Sequence, residues 1–337
     1  MTNHSLNILV CGSGSIANRH ISNLLSLGVR VSAFTSSLQR SEELSNIYNI
    51  QTFTDVNKGL KTADAVVVAT ATDRHINLSL LAATEGKAIF VEKPLSHTKE
   101  GVADLLKMVV EKQLIVEIGC QLRAHPNLRY LFEQLNLKQD GPLYTFRAVV
   151  GQSLNTWRPG TNYKKAYSSN SERGGGALFD LIHEIDLIIW LLGEIDSVQG
   201  ELSTISHLNI DADDLVNLIF NMKNGASGQV QLDMLSPVYR RGFELVFRDA
   251  IYKWNYLDGI LTREDSKGKE ILHKIPNDFE RNDLFLFHMK HFLSRLTDNT
   301  IVPLCSLEDG VGALNVALTS KESSRLGQRI DVKENLQ

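Results

Sequence analysis

The apolar positions of the first 120 residues gather into short runs, most of them unbroken or nearly so: Ile8 to Cys11, the stretch 30–34, the stretch 64–70, Ala88 to Val91 and the stretch 114–119. Runs of this length, rich in Val and Ile, predict strands buried on both faces, as in a parallel sheet. Between them the spacing changes to that of a helix. Ile16, Ala17, Ile21, Leu24 and Leu25 share one face and stop at Gly28; a short apolar helix leads to Gly86; Val102, Leu105, Leu106 and Val109 share another face. Strand and helix alternate, which predicts a right-handed, mostly parallel sheet. Beyond residue 120 the pattern changes. Residues 143–150, 197–205, 216–222, 228–235, 243–247 and 251–256 read as strands, several of them alternating, and Lys223-Asn224-Gly225 supplies a hairpin turn. They predict a large, mostly antiparallel open sheet. A helix near 307–326 and a short strand at 329–332 close the chain. The fold class is therefore α/β, with one domain at 1–120 and a second at 121–337.

The polar residues that interrupt these patterns carry the chemistry. Gly12-Ser13-Gly14-Ser15-Ile16-Ala17 follows a strand and opens a helix, the context in which a G-x-G-x-x-A sequence binds a dinucleotide. Gly12 and Gly14 let the backbone approach a pyrophosphate, and Ser15 and Ile16 begin the helix whose N-terminus meets its charge. This makes the first domain a Rossmann domain. At the end of its second strand an acidic residue would hold the ribose hydroxyls of NAD, yet positions 29–41 contain none. Thr35, Ser36 and Ser37 lead instead to Arg40, a set suited to a 2′-phosphate, so the sequence favours NADP over NAD. Ser37 and its neighbours also suit a helix cap. The loop after the stretch 64–70 holds Thr70, Thr72 and His75 and is expected over the cofactor. Glu92-Lys93-Pro94 ends a buried strand where ligands of open α/β sheets bind, although two charges at a strand end also suit an exposed ion pair.

In the second half, Gly174-Gly175-Gly176 precedes Asp180, His183 and Asp186, three residues apart and so expected on one helical face. A buried histidine beside carboxylates can take up a proton near neutral pH; helix capping with a core histidine is the alternative. His183-Glu184 lacks the second histidine of a zinc protease. His288 and His291 lie one turn apart without a third ligand and read as exposed polar positions, so no metal is assigned.

The 337 residues suit two domains, and 43% hydrophobic with 22% charged residues is a globular composition. A net charge of -4 argues against nucleic acid, and no run of about 18 apolar residues offers a membrane span. The polar start and three sparse cysteines lead to the expectation of a cytoplasmic protein without disulfides.

Taken together, Gly12-x-Gly14-Ser15-Ile16-Ala17-x-x-His20, Thr72-Asp73-Arg74-His75, Glu92-Lys93-Pro94, and the three glycines followed by Asp180, His183 and Asp186 resemble the Gfo/Idh/MocA oxidoreductases, in order and over nearly the whole chain. The resemblance implies hydride transfer between NAD(P) and a sugar or cyclitol carbon. It makes Lys93 the catalytic lysine, Glu92 the residue near the nicotinamide ribose, and Asp180 and His183 the pair flanking the substrate carbon. Many members space that pair by four residues; here the spacing is three, a pattern associated with bacterial surface-polysaccharide and unusual-sugar pathways. His183 would take the hydroxyl proton while Lys93 stabilises charge on the oxygen. Arg123, Trp157, Arg158 and Tyr163 are the expected substrate contacts, with Tyr167 and His125 nearby, and arginines suit a phosphorylated or nucleotide-linked sugar. Two other functions fit the same residues: a free cyclitol dehydrogenase and a non-catalytic sensor. The open sheet of the second domain is expected to form a homodimer or homotetramer.

Overall fold

The computed structural model of the protein describes residues 6–157 and 162–333. The chain forms two units: the first runs to Gln121 and takes in Glu280–Val311, and the second comprises Leu122–Phe279 and the segment from Gly312. The second domain read from the sequence, one continuous stretch from 121, thus differs from the structure, which returns about thirty residues to the first unit.

In the first unit, β1 (Asn7–Cys11), α1 (Ser15–Ser26), β2 (Arg30–Phe34), α2 (Leu38–Tyr48), β3 (Gln51–Phe53), α3 (Val56–Thr62), β4 (Ala65–Val68), α4 (His75–Thr84), β5 (Ala88–Glu92), α5 (Val102–Lys112) and β6 (Val116–Gly119) follow one another. The six strands are all parallel, in the order β3-β2-β1-β4-β5-β6. Ile8, Leu9, Val10, Val66, Val67, Ile89 and Val91 are completely buried, which is why their runs show no alternation. The strand order reverses between β1 and β4, the place where such sheets bind ligands. Register brings the chemistry to that edge. Cys11 pairs with Val68 and Val68 with Val91, so Gly12, Ala69 and Glu92 end neighbouring strands. β3, three residues with no buried position, has no apolar signal to reveal it.

The second unit contains α6 (Pro126–Asn136), β7 (Leu143–Gly151), α7 (Leu154–Trp157), α8 (Ala177–Asp180), α9 (His183–Leu192), β8 (Ile195–Ser203), β9 (Leu215–Met222), β10 (Ser227–Asp233), β11 (Arg240–Phe247), β12 (Ile251–Asn255), β13 (Ile260–Asp265) and β14 (Gly268–Lys274). With β15 (Ile330–Asp331) they make a nine-stranded sheet, β14-β13-β12-β11-β7-β10-β9-β8-β15. All neighbours are antiparallel except β7 and β10. Gly225, at φ +90°, makes the expected β9–β10 hairpin. On one face Phe146, Val216, Leu218, Phe220, Val230, Leu232 and Leu245 are buried; on the other Tyr144 and Ile219 stay exposed. The β13–β14 hairpin went unread because β14 is almost wholly exposed and carries no apolar face.

The returning segment forms α10 (Arg281–Thr297), followed by α11 (Leu307–Leu326). Met289 and Phe292 of α10 are fully buried in the core of Ile8, Val10, Ile21 and Phe90. His288 and His291 are not exposed as expected. His288 is 1% exposed, and both rings bond the completely buried Glu117 carboxylate of β6, at 2.9 and 3.2 Å, which Arg295 also reaches at 3.0 Å. Cys11, Cys120 and Cys305 are buried thiols. Among the described residues no helix is long and apolar enough to cross a membrane.

Candidate active site

Gly12 sits at φ +133°, and a Cβ there would strike the carbonyl of Ala69. Its own N–H donates to the Phe34 carbonyl at 2.9 Å, so the chain turns tightly against two strand ends. Gly14 is the N-cap of α1, with no side-chain cap and no acidic residue in the first turn, which contains Ser15 and Ile16. An uncapped helix N-terminus above two side-chain-free positions fits the pyrophosphate of a nicotinamide dinucleotide.

At the end of β2 the Thr35 hydroxyl donates to Ser13 Oγ at 3.4 Å. The Arg40 guanidinium is held by Glu43, three residues on, at 2.6 Å on the outer surface of α2. The cation that reaches the loop is Arg74, whose Nη1 donates to Ser36 Oγ at 3.4 Å. Ser37 caps α2 by accepting from the Arg40 N–H. Sequence proximity favoured Arg40, whereas the parallel register of β2, β1 and β4 is what brings Arg74 alongside.

The loop after β4 is built around His75. Its ring is 1% exposed, with Nδ1 2.8 Å from the Pro94 carbonyl and Nε2 3.2 Å from the Thr70 carbonyl. Both nitrogens face backbone, so the ring is not presented to a cofactor, in contrast to the expectation. Thr72 is buried, and the Thr70 hydroxyl donates to the Ala71 carbonyl. At the end of β5 the Glu92 carboxylate is buried and 2.7 Å from Nε2 of His20, a residue of α1 that sequence reasoning left without a role. Burial pushes Glu92 up, but the His20 hydrogen bond and the charges of His20 and Lys93 outweigh it and hold the carboxyl below its ordinary value. Glu92 is thus an anion beside half-buried Lys93, and the Lys93–Pro94 peptide is cis.

In the second unit the glycine segment packs under Asp213. A Cβ on Gly176, at φ +111°, would overlap the Asp213 carboxylate. Asp213 accepts from the N–H groups of Ala177 (its carbonyl, 2.8 Å) and Leu178 (Oδ2, 2.7 Å), capping the short α8 from a distant loop. Asp180, the last residue of α8, accepts from the Tyr167 hydroxyl at 2.8 Å. Burial, with the charge of Asp180 added, raises Asp213 to about 6 although the Leu178 N–H opposes it. This second carboxylate was missed, and the acidic cluster Asp211, Asp213 and Asp214 was its only signal.

Asp180, His183 and Asp186 do not share one helix. The backbone breaks at Leu181, φ -105° and ψ 23°, and α9 begins afresh at His183. His183 is 4% exposed and is followed by two buried ion pairs: Glu184 with Arg241 at 2.7 Å and Asp186 with Arg123 at 2.6 Å. Arg123, expected at substrate, is therefore committed to Asp186 and stacks over Trp190. Trp157 donates to the Gln152 carbonyl at 3.0 Å and Tyr163 to the Leu208 carbonyl at 3.2 Å. Arg158 lies outside the described residues. His125 is a core side chain, fully buried against Trp254, Tyr256 and Phe279, and burial pushes it down to about 3.

The model of an oxidoreductase family with an NAD-binding Rossmann fold matches residues 6–120, and that of the GFO/IDH/MocA C-terminal domain matches residues 136–253. The chain is 25% identical to scyllo-inositol 2-dehydrogenase (NAD(+)) of Bacillus subtilis (strain 168), covering 98% of each chain. Levoglucosan dehydrogenase in complex with NADH shares the fold with a TM-score of 0.88 at 20% identity, over 98% of this chain and 100% of that one. The WlbA dehydrogenase of Bordetella pertussis in complex with NADH and UDP-GlcNAcA does so with a TM-score of 0.83 at 19% identity, over 98% and 99%.

Proposed function

Since the chain belongs to the Gfo/Idh/MocA family of NAD-dependent oxidoreductases, we propose that it oxidises a CH–OH carbon of a sugar, or reduces the corresponding ketone, with a nucleotide-linked or otherwise activated sugar of bacterial polysaccharide synthesis as substrate. The observation that carries the reading is the strand end at which Lys93 follows the anchored anion Glu92, one strand away from Ala69 and two from Gly12. A bound nicotinamide supplies the hydride acceptor. His183 takes the hydroxyl proton as the carbon loses its hydride, and Lys93 hydrogen-bonds the oxygen, so that an alcohol becomes a ketone with atoms and charge balanced. Asp180, held by Tyr167, flanks the carbon. The WlbA complex with UDP-GlcNAcA supports an activated sugar. A free cyclitol is the second reading, supported by the inositol dehydrogenase relative.

NADP(H) is the preferred cofactor in this proposal, supported by the absence of acidic residues at 29–41 and by the cation Arg74 on Ser36. The protein acts in the cytoplasm, in keeping with three buried thiols. It assembles as a dimer or tetramer through the nine-stranded sheet. The test is a panel of nucleotide sugars and inositols offered to the purified protein, read by absorbance of the reduced cofactor, with Lys93→Ala and His183→Ala alongside. Each variant loses on the order of a hundredfold or more in turnover. Near-normal turnover in folded Lys93→Ala defeats the mechanism and moves the weight to a sensor.

A further inference from the structure

The turn that holds Lys93 is fixed from several sides, all within the first unit. Before the lysine, the Glu92 carboxylate is bonded by His20 of α1 and lies against Gly119 of β6, where a Cβ would come within 2.9 Å of the carboxyl carbon. After it, the carbonyl of Pro94 is met by the His75 ring at 2.8 Å. His75 also faces the Thr70 carbonyl, at 3.2 Å. A neutral imidazole has one N–H to give to these two acceptors. Complete burial disfavours the imidazolium. The shorter contact therefore takes the proton: Nδ1–H donates to Pro94, and Nε2 faces Thr70 without one.

We infer that His75 is a positioning residue for Lys93, clamping the carbonyl of Pro94 through Nδ1–H so that the lysine is held between two anchored neighbours. This rests on the assignment of Lys93 to the reacting oxygen. The physical reason is that a stabilising cation acts only when its ammonium is already where charge develops, and a displacement of about 1 Å can cost on the order of a hundredfold in rate. His75 opens α4 directly after the cofactor loop, so the clamp joins that loop to the end of β5. The ring would thus serve the lysine rather than touch the cofactor.

The two ring nitrogens can be replaced one at a time. The amide of His75→Asn occupies the Nδ1 position and keeps the donor to Pro94; that of His75→Gln occupies the Nε2 position and reaches only Thr70; His75→Leu has neither. Turnover and KM are measured in the full chain with saturating cofactor. In parallel, lysines are reductively methylated with 13C-formaldehyde and the Lys93 resonance, identified by its loss in Lys93→Arg, is titrated by NMR in the presence of NAD(P)H. His75→Gln and His75→Leu are expected to lose roughly tenfold or more in kcat with KM for cofactor within about threefold, while His75→Asn recovers to within about threefold of the parent. The Lys93 titration midpoint moves in the Gln and Leu variants and stays in the Asn variant. Equal losses in the Asn and Gln variants, accompanied by equal drops in Tm, reduce His75 to a structural role and overturn the inference. Loss in Asn with retention in Gln assigns the ring to the Thr70 loop and overturns it too. The NMR measurement needs no sugar: if the parent turns over nothing on the panel, the dehydrogenase reading fails, while an unmoved Lys93 resonance in His75→Gln refutes the clamp independently.

Discussion

Replacing Glu117 by Gln keeps the shape of the side chain and removes its charge from beneath His288, His291 and Arg295. Burial raises this carboxyl, but hydrogen bonds from the two histidines and their charges more than offset it and bring it from 4.5 down to about 2. A folded-state value below the ordinary one means that the stabilisation is fully present above pH 4.5 and is lost as pH falls through 2. A shift of this size corresponds to about 3 kcal/mol at pH 6, falling to roughly 1.4 kcal/mol at pH 3. No discount for solvent applies, because the side chain is fully buried. Urea unfolding of parent and Glu117→Gln, followed by far-UV circular dichroism from pH 6 to pH 3, should show a gap of about 3 kcal/mol that narrows by about half towards pH 3. A gap that stays constant over that range refutes the reasoning, as does the absence of any loss at pH 6.

Three further outcomes are expected. Asp186→Asn leaves the buried guanidinium of Arg123 without its counter-charge and should cost about 3–5 kcal/mol, with Arg123→Met costing less, measured by denaturant midpoint; equal, small effects would count against a buried pair. Arg74→Ala should weaken NADP(H) selectively in calorimetry, while Arg40→Ala, at an exposed position paired with Glu43, should change the NADP(H) to NAD(H) ratio less; a larger selective effect in Arg40→Ala reverses the assignment. Light scattering at micromolar concentration should show a dimer or tetramer, which a charge placed at Ile219 on the open sheet face disrupts; a monomer removes the proposal.

Runs such as Ile8 to Cys11 and Ala88 to Val91 report their own burial, because a strand covered on both faces has no polar position to spare. The glycine at 12 reports a closely approached backbone, because a Cβ there would strike the Ala69 carbonyl. The Glu92-Lys93-Pro94 turn stands out for the same local reason: charge directly after a fully apolar strand. Each of these signals is contained in a few consecutive residues.

Partners are a different matter. The two histidines of α10 stand one turn apart, which says nothing of the core the helix packs against, and they looked exposed because the carboxylate they bond, Glu117, lies about 170 residues away. Arg123 looked available until the fold brought Asp186 to it, Arg74 drew no attention until parallel register set it beside Ser36, and the threefold spacing of Asp180 and His183 implied one helix that Leu181 interrupts. By itself, then, the sequence determined the two sheet types, the dinucleotide turn and the lysine at the strand end, since these follow from local burial and local steric freedom. The tertiary structure alone decided which charges neutralise each other and which side chains orient Lys93, because a buried ion or donor is specified by whatever the fold places within about 3 Å of it, and that distance has no counterpart along the chain.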